Sequence, residues 1–219
     1  MVYAVRHGQS TANAAFLDPK AVVPADDGAI SLTELGGRQA GAVGLWLAGL
    51  PDAEMPDMVW CSPYLRAVQT WEVASRELGP RPAPCYRIDS RLRDRYRGQL
   101  SHLRPAEVRE RFPEEYAKEA ADSLGYRPPD GESFLDVAER LRDVVTDIEA
   151  DRHRRVLIVA HDAVVLFLRM ILEKLTHAEV LTIADGGLAG NASVTSWHRS
   201  EGAYRLVTYD DRTHLKGTS

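Results

Sequence analysis

Three short apolar runs along the chain have the pattern of strands that are covered on both faces. Residues 2–5, 58–61 and 156–159 are continuously apolar rather than alternating, which is typical of strands in a parallel sheet. Two later segments, 192–197 and 204–209, alternate between apolar and polar residues. They predict strands that complete one edge of the same sheet.

Helical periodicity separates these runs. The strongest lies over about 133–150, where apolar residues recur at three- and four-residue steps: Phe134, Val137, Ala138, Leu141, Val144, Val145 and Ile148. Ser133 and Asp136 approximate a capping box at its start. Weaker patterns predict helices over 33–48, 64–78 and 163–175. The alternation of strands and helices predicts an α/β fold, a three-layer α/β/α sandwich around a mostly parallel central sheet.

Two stretches interrupt the alternation. Residues 17–30 are rich in Asp, Pro and Gly, and residues 80–131 mix short strand-like and helical pieces. We predict that both lie over the carboxyl ends of the strands, where ligands bind in open α/β sheets. The chain is then one domain over 1–219, with a cap insertion at about 80–131 that determines substrate specificity.

Composition narrows the class of protein. The 219 residues are 44% hydrophobic and 27% charged, as in an ordinary globular domain. The net charge is −5 and no basic cluster follows the pattern of a nucleic-acid binding surface, so we expect no nucleic-acid partner. Without a long apolar segment or leader pattern, we expect no membrane partner and a cytoplasmic protein. Cys61 and Cys85 lack disulfide or metal-ligand spacing and predict two buried, reduced thiols.

Chemistry-bearing side chains follow the predicted strands. His7 and His161 come directly after two of them, Arg6 adjoins His7, and Arg66 comes shortly after a third. Strand ends on one edge of a parallel sheet converge, so these groups should meet. Guanidinium groups match phosphate oxygens, and an unprotonated imidazole is a competent nucleophile. No metal-ligand motif lies nearby, so we expect no metal and no other cofactor.

Four sequence blocks resemble the signature of the histidine phosphatase, or phosphoglycerate mutase-like, superfamily. They are VRHGQS at 5–10 followed by Asn13, CSPYLRAVQT at 61–70, LRD at 92–94 with Gly98, and VAH at 159–161. They span most of the chain and occur in the order that the family shows. The resemblance implies a phosphoglycerate mutase-like fold and a reaction through a phosphohistidine.

The resemblance also implies roles for five catalytic residues. His7 is the nucleophile that becomes phosphorylated, while Arg6, Arg66 and His161 hold the phosphate. Asp94 stands where the family usually has a glutamate that protonates the leaving group, and its carboxyl group can perform the same acid–base work. Its side chain is one methylene shorter.

Five further residues are predicted to bind substrate: Asn13, Gln9, Ser10, Tyr96 and Asp162. Tyr96 belongs either to the core or to the pocket. Asp162 replaces the Gly, Asn or Gln that commonly follows this histidine in the family. Its carboxylate either faces solvent with little consequence, orients His161, or favours a cationic group on the substrate.

The middle of the chain is most similar to the fructose-2,6-bisphosphatase branch of the superfamily. ERFPEEY at 110–116, YR at 126–127, PDGES at 129–133 and HDAV at 161–164 carry this similarity. The basic side chains that hold the distant phosphate and sugar in that branch are replaced here by Glu119, Ser123 and Leu166, and a tyrosine by Phe134. Each lost charge-assisted hydrogen bond costs about 1.5–3 kcal/mol, which predicts weak binding of that bisphosphate.

We therefore expect a phosphomonoester hydrolase that acts on a small phosphorylated metabolite. Two alternatives stay open at this point: a phosphoglycerate mutase-type phosphotransferase, and a non-catalytic phosphoester-binding protein on the same fold. A mutase normally needs extra basic groups in the lid over its active site. In residues 101–131, the corresponding segment of this chain, acidic residues are at least as numerous as basic ones. A homodimer is also left open.

Overall fold

A six-stranded mixed sheet forms the centre of the molecule, in the order β3-β2-β4-β1-β5-β6. The computed structural model describes residues 1–24 and 26–218; Ala25, within the predicted 17–30 stretch, and Ser219 lie outside the described residues. The first four strands pair in parallel, β5 pairs antiparallel with β1, and β6 pairs antiparallel with β5. The strands are β1 (Val2–Arg6), β2 (Met58–Cys61), β3 (Cys85–Ile88), β4 (Val156–Ala160), β5 (Val194–Ser200) and β6 (Ala203–Asp211).

Helices cover both faces of this sheet and confirm the predicted three-layer sandwich. On one face α2 and α3 pack against residues such as Val5 and Val59, and on the other α6 and α7 pack against residues such as Ala4 and Ile158. None of the helices in the described residues has both the length and the apolarity needed to cross a bilayer. The helices are α1 (Thr11–Leu17), α2 (Glu34–Ala48), α3 (Leu65–Arg76), α4 (Pro105–Arg111), α5 (Pro113–Ala121), α6 (Phe134–Ala150), α7 (Asp162–Glu173) and α8 (His177–Asp185).

The apolar strands are buried because both of their faces contact helices. Every residue of β2 and β4 is buried, and Trp60 at 0% exposure is among the largest enclosed side chains. Burying a side chain of this kind contributes at least about 1.5–3 kcal/mol. Arg6 pairs with Ala160 and Cys61 with Val159, so β1, β4 and β2 end side by side. This register fixes the backbone at the edge where His7, His161 and Ser62 follow.

The cap, defined here as residues 95–131, contains the short helices α4 and α5. Each helix begins with a proline, whose fixed φ suits the first helical position. A small cluster of Leu100, Val108 and Tyr126 is buried inside the cap. Arg104 joins the cap to the rest of the protein, since one of its terminal nitrogens donates to the carbonyls of three residues at the end of α1 and just after it.

The structure differs from the sequence-based expectation at the edge of the sheet. Part of the stretch predicted as cap, Cys85–Ile88, is the sheet strand β3, and all four of its residues are exposed. The prediction that Cys85 is a buried thiol is therefore wrong, whereas Cys61 is buried as expected and both cysteines are free. An exposed edge strand has no apolar run to reveal it. Helix α8 was not predicted either.

Candidate active site

The two histidines that end separate strands lie against each other. The centroids of the His7 and His161 rings are 5.2 Å apart with the planes inclined by 65°. Because β1 and β4 are neighbours, the backbone N–H of His7 donates to Ala160 O at 2.9 Å, directly before His161. Both side chains are buried, at 3% and 0% exposure. The predicted meeting of these rings at one sheet edge is present in the structure.

The hydrogen bonds of His7 select one form of its ring. Nδ1 lies 2.7 Å from Gly8 O, which can only accept, so Nδ1 carries the proton. Nε2 accepts from Arg66 Nε at 3.1 Å and therefore holds a lone pair. Burial, reinforced by the nearby His161, Arg66 and Arg6, holds the pKa of His7 well below its usual range. The ring is neutral, with Nε2 as the basic and nucleophilic nitrogen.

Close packing holds the loop that carries His7. A Cβ on Gly8 would lie 2.4 Å from Gly36 O, so only glycine allows this loop to press against the first turn of α2. The backbone N–H of Gly8 also donates to Thr70 Oγ1 on α3 at 3.1 Å. These contacts leave the His7 loop little freedom to move, which preorganises the nucleophile.

Arg66 is the most highly connected cation of the site. It is buried at 4% exposure and its guanidinium uses all three nitrogens. Nε donates to His7, Nη1 to the backbone and carboxylate oxygens of Asp27, and Nη2 to Asp94 Oδ2 at 3.2 Å. Its carbon lies 4.8 Å from the Tyr64 ring centroid. Two carboxylates therefore occupy hydrogen-bonding positions that a phosphate can take.

Arg6 also has a carboxylate partner, because Asp162 forms an ion pair with its guanidinium. Nη2 of Arg6 lies 3.0 Å from Asp162 Oδ2, and Nη1 donates to Ala189 O at 2.7 Å. Burial raises the pKa of Asp162, although Arg6 acts in the opposite direction. The Asp162 side chain is 24% exposed and its ion-pair partner is Arg6. An effect of Asp162 on His161 or on a cationic substrate group stays a prediction.

The two ring nitrogens of His161 have different surroundings. Nε2 is 2.8 Å from Ser62 Oγ, which follows β2. Nδ1 is buried, has no hydrogen-bond partner among residues 1–24 and 26–218, and lies 3.5 Å from Asp94 Oδ2. Burial, with Arg66, Arg6 and Arg140 nearby, holds the pKa of His161 well below its usual range. A buried polar atom without a partner is costly, and a bound oxyanion is a group that can satisfy it.

Asp94 lies between the histidines and an adjoining cavity. Its Oδ2 contacts Arg66 and approaches His161, and its Oδ1 accepts from Arg95 N at 2.9 Å. The cavity has a volume of about 170 Å³. Its polar lining includes Asp27, Asp94, Arg97 and His102. A carboxyl group between the phosphate-binding residues and an open space is in place for proton exchange with a leaving group.

Three of the residues predicted to contact substrate, Ser10, Asn13 and Gln9, form hydrogen bonds within the protein. Ser10 is 1% exposed and caps α1, with its hydroxyl bonded to Asn13. Its substrate contact stays a prediction. Asn13 Oδ1 also accepts from Asn191, and Gln9 Oε1 accepts from Thr33 Oγ1 at 2.8 Å. Substrate contacts of Asn13 and Gln9 stay predictions.

Tyr96 is 46% exposed, which excludes the core alternative. Its backbone N–H donates to a carboxylate oxygen of Glu132, and its carbonyl accepts from the backbone N–H of the same residue. This pairing ties the first residues of the cap to the segment just beyond it. A contact of the Tyr96 ring with substrate stays a prediction.

Three contributors to the site were not predicted from the sequence. Asp27 pairs with Arg66 from within the Asp-, Pro- and Gly-rich stretch. Asn191 Nδ2 donates to His7 O at 3.1 Å, and Ala189 supplies the carbonyl that holds Arg6. No local motif marks them: Asp27 begins a one-turn 3-10 helix, Asn191 lies in a turn, and Ala189 acts through its backbone.

Together His7, Arg6, Arg66 and His161, called the phosphate site below, surround one point with a lone pair, two guanidiniums and an open ring nitrogen. This donor set suits a tetrahedral oxyanion. Among residues 1–24 and 26–218, no three His, Cys, Asp or Glu side chains are grouped so that they could hold a metal ion. The arrangement provides attack by Nε2 and stabilisation of negative charge.

Comparison with known protein families gives a match over nearly the whole chain. Residues 2–212 match the model of the histidine phosphatase superfamily (branch 1). A curated relative from Caenorhabditis elegans, 6-phosphofructo-2-kinase/fructose-2,6-bisphosphatase, is 33% identical over 164 residues, covering 74% of this chain and 32% of that protein. A relative from Bos taurus, 6-phosphofructo-2-kinase/fructose-2,6-bisphosphatase 3, is 30% identical over 79% of this chain and 33% of its own length. The chain thus spans about a third of these relatives.

Solved structures match over nearly their full length. Mycobacterial glucosyl-3-phosphoglycerate phosphatase, solved with VO3, has a TM-score of 0.76 and 27% identity, covering 95% of this chain and 98% of that one. Alpha-ribazole phosphatase from Shigella flexneri has a TM-score of 0.79 at 20% identity, covering 96% of both chains, and shares the fold.

Proposed function

Because this chain belongs to the histidine phosphatase superfamily, we propose that it hydrolyses phosphomonoesters through a phosphohistidine formed at His7. The observation that carries the proposal is the state of His7: a neutral ring whose unprotonated Nε2 points to Arg66, beside the open Nδ1 of His161. A nucleophile of this kind divides one difficult displacement into two easier ones.

In the first step, the Nε2 lone pair of His7 forms a bond to phosphorus. The bond between phosphorus and the ester oxygen breaks, and its electron pair leaves with that oxygen. Asp94, which takes up a proton from solvent when the phosphate displaces it from Arg66, supplies the proton that makes the leaving group an alcohol. Arg6, Arg66 and His161 donate hydrogen bonds to the phosphoryl oxygens, where charge develops.

Substrate binding replaces the carboxylate partners of Arg6 and Arg66 with phosphate oxygens. The phosphate competes with Asp162 for Arg6, and with Asp27 and Asp94 for Arg66. Release of Asp94 from Arg66 frees its carboxyl group for the leaving-group oxygen. Ser62 donating to Nε2 of His161 places the ring proton on Nδ1, which then donates to the phosphate.

In the second step, water attacks the phosphorus of the phosphohistidine. Asp94, now ionised, accepts a proton from that water as the bond between phosphorus and His7 Nε2 breaks. Inorganic phosphate and the free neutral imidazole are the products. Asp94 ends the cycle protonated, as the first step requires.

The charges of the cap favour hydrolysis of monophosphates over a mutase reaction. Its basic side chains are largely engaged by carboxylates: Arg95 and Arg97 both pair with Glu119, and Lys118 pairs with Glu115. A mutase must hold a diphosphorylated intermediate, which calls for free cations. For the same reason we expect a lower kcat/KM with fructose 2,6-bisphosphate than with monophosphates.

A small phosphorylated substrate is thus the expected ligand. A cytoplasmic location and the lack of nucleic-acid or membrane partners stay predictions, as does the division of the chain into one domain with a cap insertion. A homodimer stays open and is measured by light scattering in solution.

The test of the proposal is hydrolysis of p-nitrophenyl phosphate by the purified chain and by His7→Ala. The variant should lose at least about 10⁴-fold in kcat, as nucleophile removal does in enzymes with a covalent intermediate. The matched control is His198→Ala, which removes an exposed histidine on β5 and should keep full activity. An unchanged rate in His7→Ala, with His198→Ala equally active, disproves the proposal.

A further inference from the structure

A largely enclosed carboxylate outside the phosphate site contacts the segment that carries Asp94. Glu132 directly precedes the residue that caps α6, and its side chain is 15% exposed. Its carboxylate accepts hydrogen bonds from Arg93, from Arg140 Nε at 3.1 Å and from the backbone N–H of Tyr96 at 3.2 Å. An enclosed charge is costly unless it is paired in this way. The proposed reaction does not use Glu132, so its pairing serves another purpose.

These contacts hold the chain on both sides of Asp94. Arg93 directly precedes Asp94, and Arg95, which follows it, donates from Nε to the backbone carbonyl of Glu132 at 2.9 Å. The backbone N–H of Glu132 in turn donates to Tyr96 O at 2.8 Å. The residue before Asp94 and the two residues after it are therefore all bonded to Glu132.

Arg140 adds a contact to Asp94 itself. Its Nη2 donates to Asp94 O at 3.2 Å, and its Nη1 donates to Arg91 O. Its Nε donates to Glu132, and its side chain is 10% exposed. Arg140 belongs to α6, whose apolar face is buried in the core. The core therefore fixes the backbone from which this guanidinium reaches Asp94.

Asp94 depends on this support once phosphate is bound. In the free protein, Arg66 Nη2 donates to its Oδ2 at 3.2 Å. When phosphate takes that place, Asp94 keeps the hydrogen bond from the backbone N–H of Arg95 to Oδ1. One methylene joins the carboxyl group to the backbone, so the backbone position decides how close the carboxyl group lies to the leaving oxygen. A misplacement of about 1 Å costs on the order of 100-fold in rate.

Resting on the proposed function, we propose that Glu132 and Arg140 are positioning residues that hold Asp94 where it protonates the leaving alcohol. They act through the backbone at Asp94 and on either side of it, rather than on the phosphate. Catalytic groups need supporting hydrogen bonds of this kind, which hold them within about 0.5 Å of the productive geometry. Loss of this support slows the steps that need proton transfer by Asp94 and spares the attack of His7 on an ester whose alcohol leaves as an anion.

The experiment compares two esters in Glu132→Gln. The kcat for methyl phosphate should fall about 10- to 100-fold, because the leaving alcohol needs the proton of Asp94. The burst rate of p-nitrophenol from p-nitrophenyl phosphate should stay within about twofold of the wild type, since this leaving group departs without a proton. Equal losses in the two measurements overturn the proposal, and so does an unchanged kcat for methyl phosphate.

A double variant shows whether Glu132 acts through Asp94. In the Asp94→Asn background, Glu132→Gln should lower the kcat for methyl phosphate by less than about a further twofold, because the proton that it helps to place is already absent. A merely structural role lowers kcat in both backgrounds. A further loss as large as in the wild-type background therefore overturns the proposal.

Glu173→Gln is the matched control. Glu173 is 13% exposed and forms an ion pair with Arg169 at 2.9 Å, at the end of α7 opposite to His161. Because it is remote from Asp94, its variant should keep the kcat for methyl phosphate within about twofold. A loss in Glu173→Gln that equals the loss in Glu132→Gln overturns the proposal.

Arg140→Lys decides the question if Glu132→Gln does not fold, as measured by thermal melting. Lysine keeps the charge, but its single nitrogen lacks the fork with which arginine bonds Glu132 and two backbone carbonyls together. The kcat for methyl phosphate should fall at least about fivefold, with the burst rate of p-nitrophenol unchanged. A kcat equal to that of the wild type overturns the proposal.

Asp94→Asn and His7→Ala separate this proposal from the one on which it rests. A loss of methyl phosphate turnover in Asp94→Asn without a loss in Glu132→Gln overturns only the positioning role. If neither variant loses turnover, the positioning role and the proton-donor role of Asp94 are both overturned. Full turnover in His7→Ala overturns the reaction through His7, whatever the Glu132 variant shows.

Discussion

The phosphate site and the cap are held in place by different kinds of interaction. The phosphate site is fixed by the backbone of the sheet: His7 N donates to Ala160 O, and its carbonyl accepts from Ala192 N. The cap is fixed by side chains. Arg95 and Arg97 share Glu119. A backbone ladder is rigid and independent of side-chain identity, whereas these ion pairs depend on particular residues.

Because of this difference, the reaction and the selection of substrate depend on different regions of the molecule. The groups proposed to react stand at the ends of strands whose register is set by the core. The groups that line the cavity next to Asp94 belong largely to the cap, to α1 and to the segment after α1, where substitutions need not disturb the sheet. Changes in the phosphate site should therefore affect every ester, and changes in the cap should act on some esters or on stability.

After the loss of the nucleophile in His7→Ala, the largest effect is expected from Arg66→Ala. Removal of one donor from a charge-stabilising site costs about 10²–10³ in kcat, and here the Asp27 carboxylate is also left without its ion-pair partner beside the phosphate. We expect a loss of at least about 10³-fold in kcat/KM, equal for aryl and alkyl esters. Steady-state kinetics with p-nitrophenyl and methyl phosphate measures it.

The control for that variant is Arg111→Ala, which removes an exposed arginine of the cap. It should change kcat/KM less than about threefold, as surface substitutions have small effects. A loss below tenfold in Arg66→Ala, with a folded protein by thermal melting, contradicts the separation of the two regions.

A smaller effect, and one that depends on the ester, is expected from Asp94→Asn. The amide keeps the approximate shape of the side chain but cannot transfer a proton. For methyl phosphate, kcat should fall on the order of 100-fold because the leaving alcohol needs that proton. For p-nitrophenyl phosphate, whose leaving group departs as an anion, formation of the phosphohistidine should change little, as measured by the burst of p-nitrophenol. Equal losses for both esters in that phase contradict the proton-donor role.

The smallest effect is expected from Glu119→Gln in the cap. Glutamine keeps one acceptor but turns an amide N–H₂ toward Arg95 or Arg97, so one charge-assisted bond is lost, about 1.5–3 kcal/mol. The melting temperature should fall by about 3–12 °C. Methyl phosphate turnover should stay within about twofold, because the phosphate site does not depend on this ion pair.

Glu114→Gln is the matched control on the same helix, α5, since Glu114 is exposed. Its melting temperature should stay within about 1 °C of the wild type. If Glu119→Gln lowers methyl phosphate turnover as strongly as Asp94→Asn does, the cap and the phosphate site are not separable.

The buried parts of the fold were predictable from the sequence and the exposed parts were not. Strands β1, β2 and β4 and helix α6 appear at their predicted places, because burial on two faces or on one face leaves an apolar run or a helical period. Strand β3 is exposed along its length and has neither signal. Prolines at the first positions of α4 and α5 are a local signal that marks both helix starts.

The phosphate site was predictable for a related reason. Its residues follow buried strands, so the sheet brings them together whatever the loops do. The residues that neutralise it come from loops and helix starts: Asp27 has no motif, and Asp162 was noticed without its partner Arg6. A spacing-based resemblance also cannot separate a helix cap from a ligand contact: Ser10, predicted to bind substrate, caps α1.

The central claim is that His7 accepts the phosphoryl group, and trapping the intermediate tests it most directly. The enzyme is mixed with a phosphomonoester, quenched in alkali within one turnover, and mapped by mass spectrometry. We expect an acid-labile phosphoryl group on His7, formed as the first equivalent of alcohol is released. Release of that alcohol with no phosphoryl group on the protein, or with the group on another residue, contradicts it.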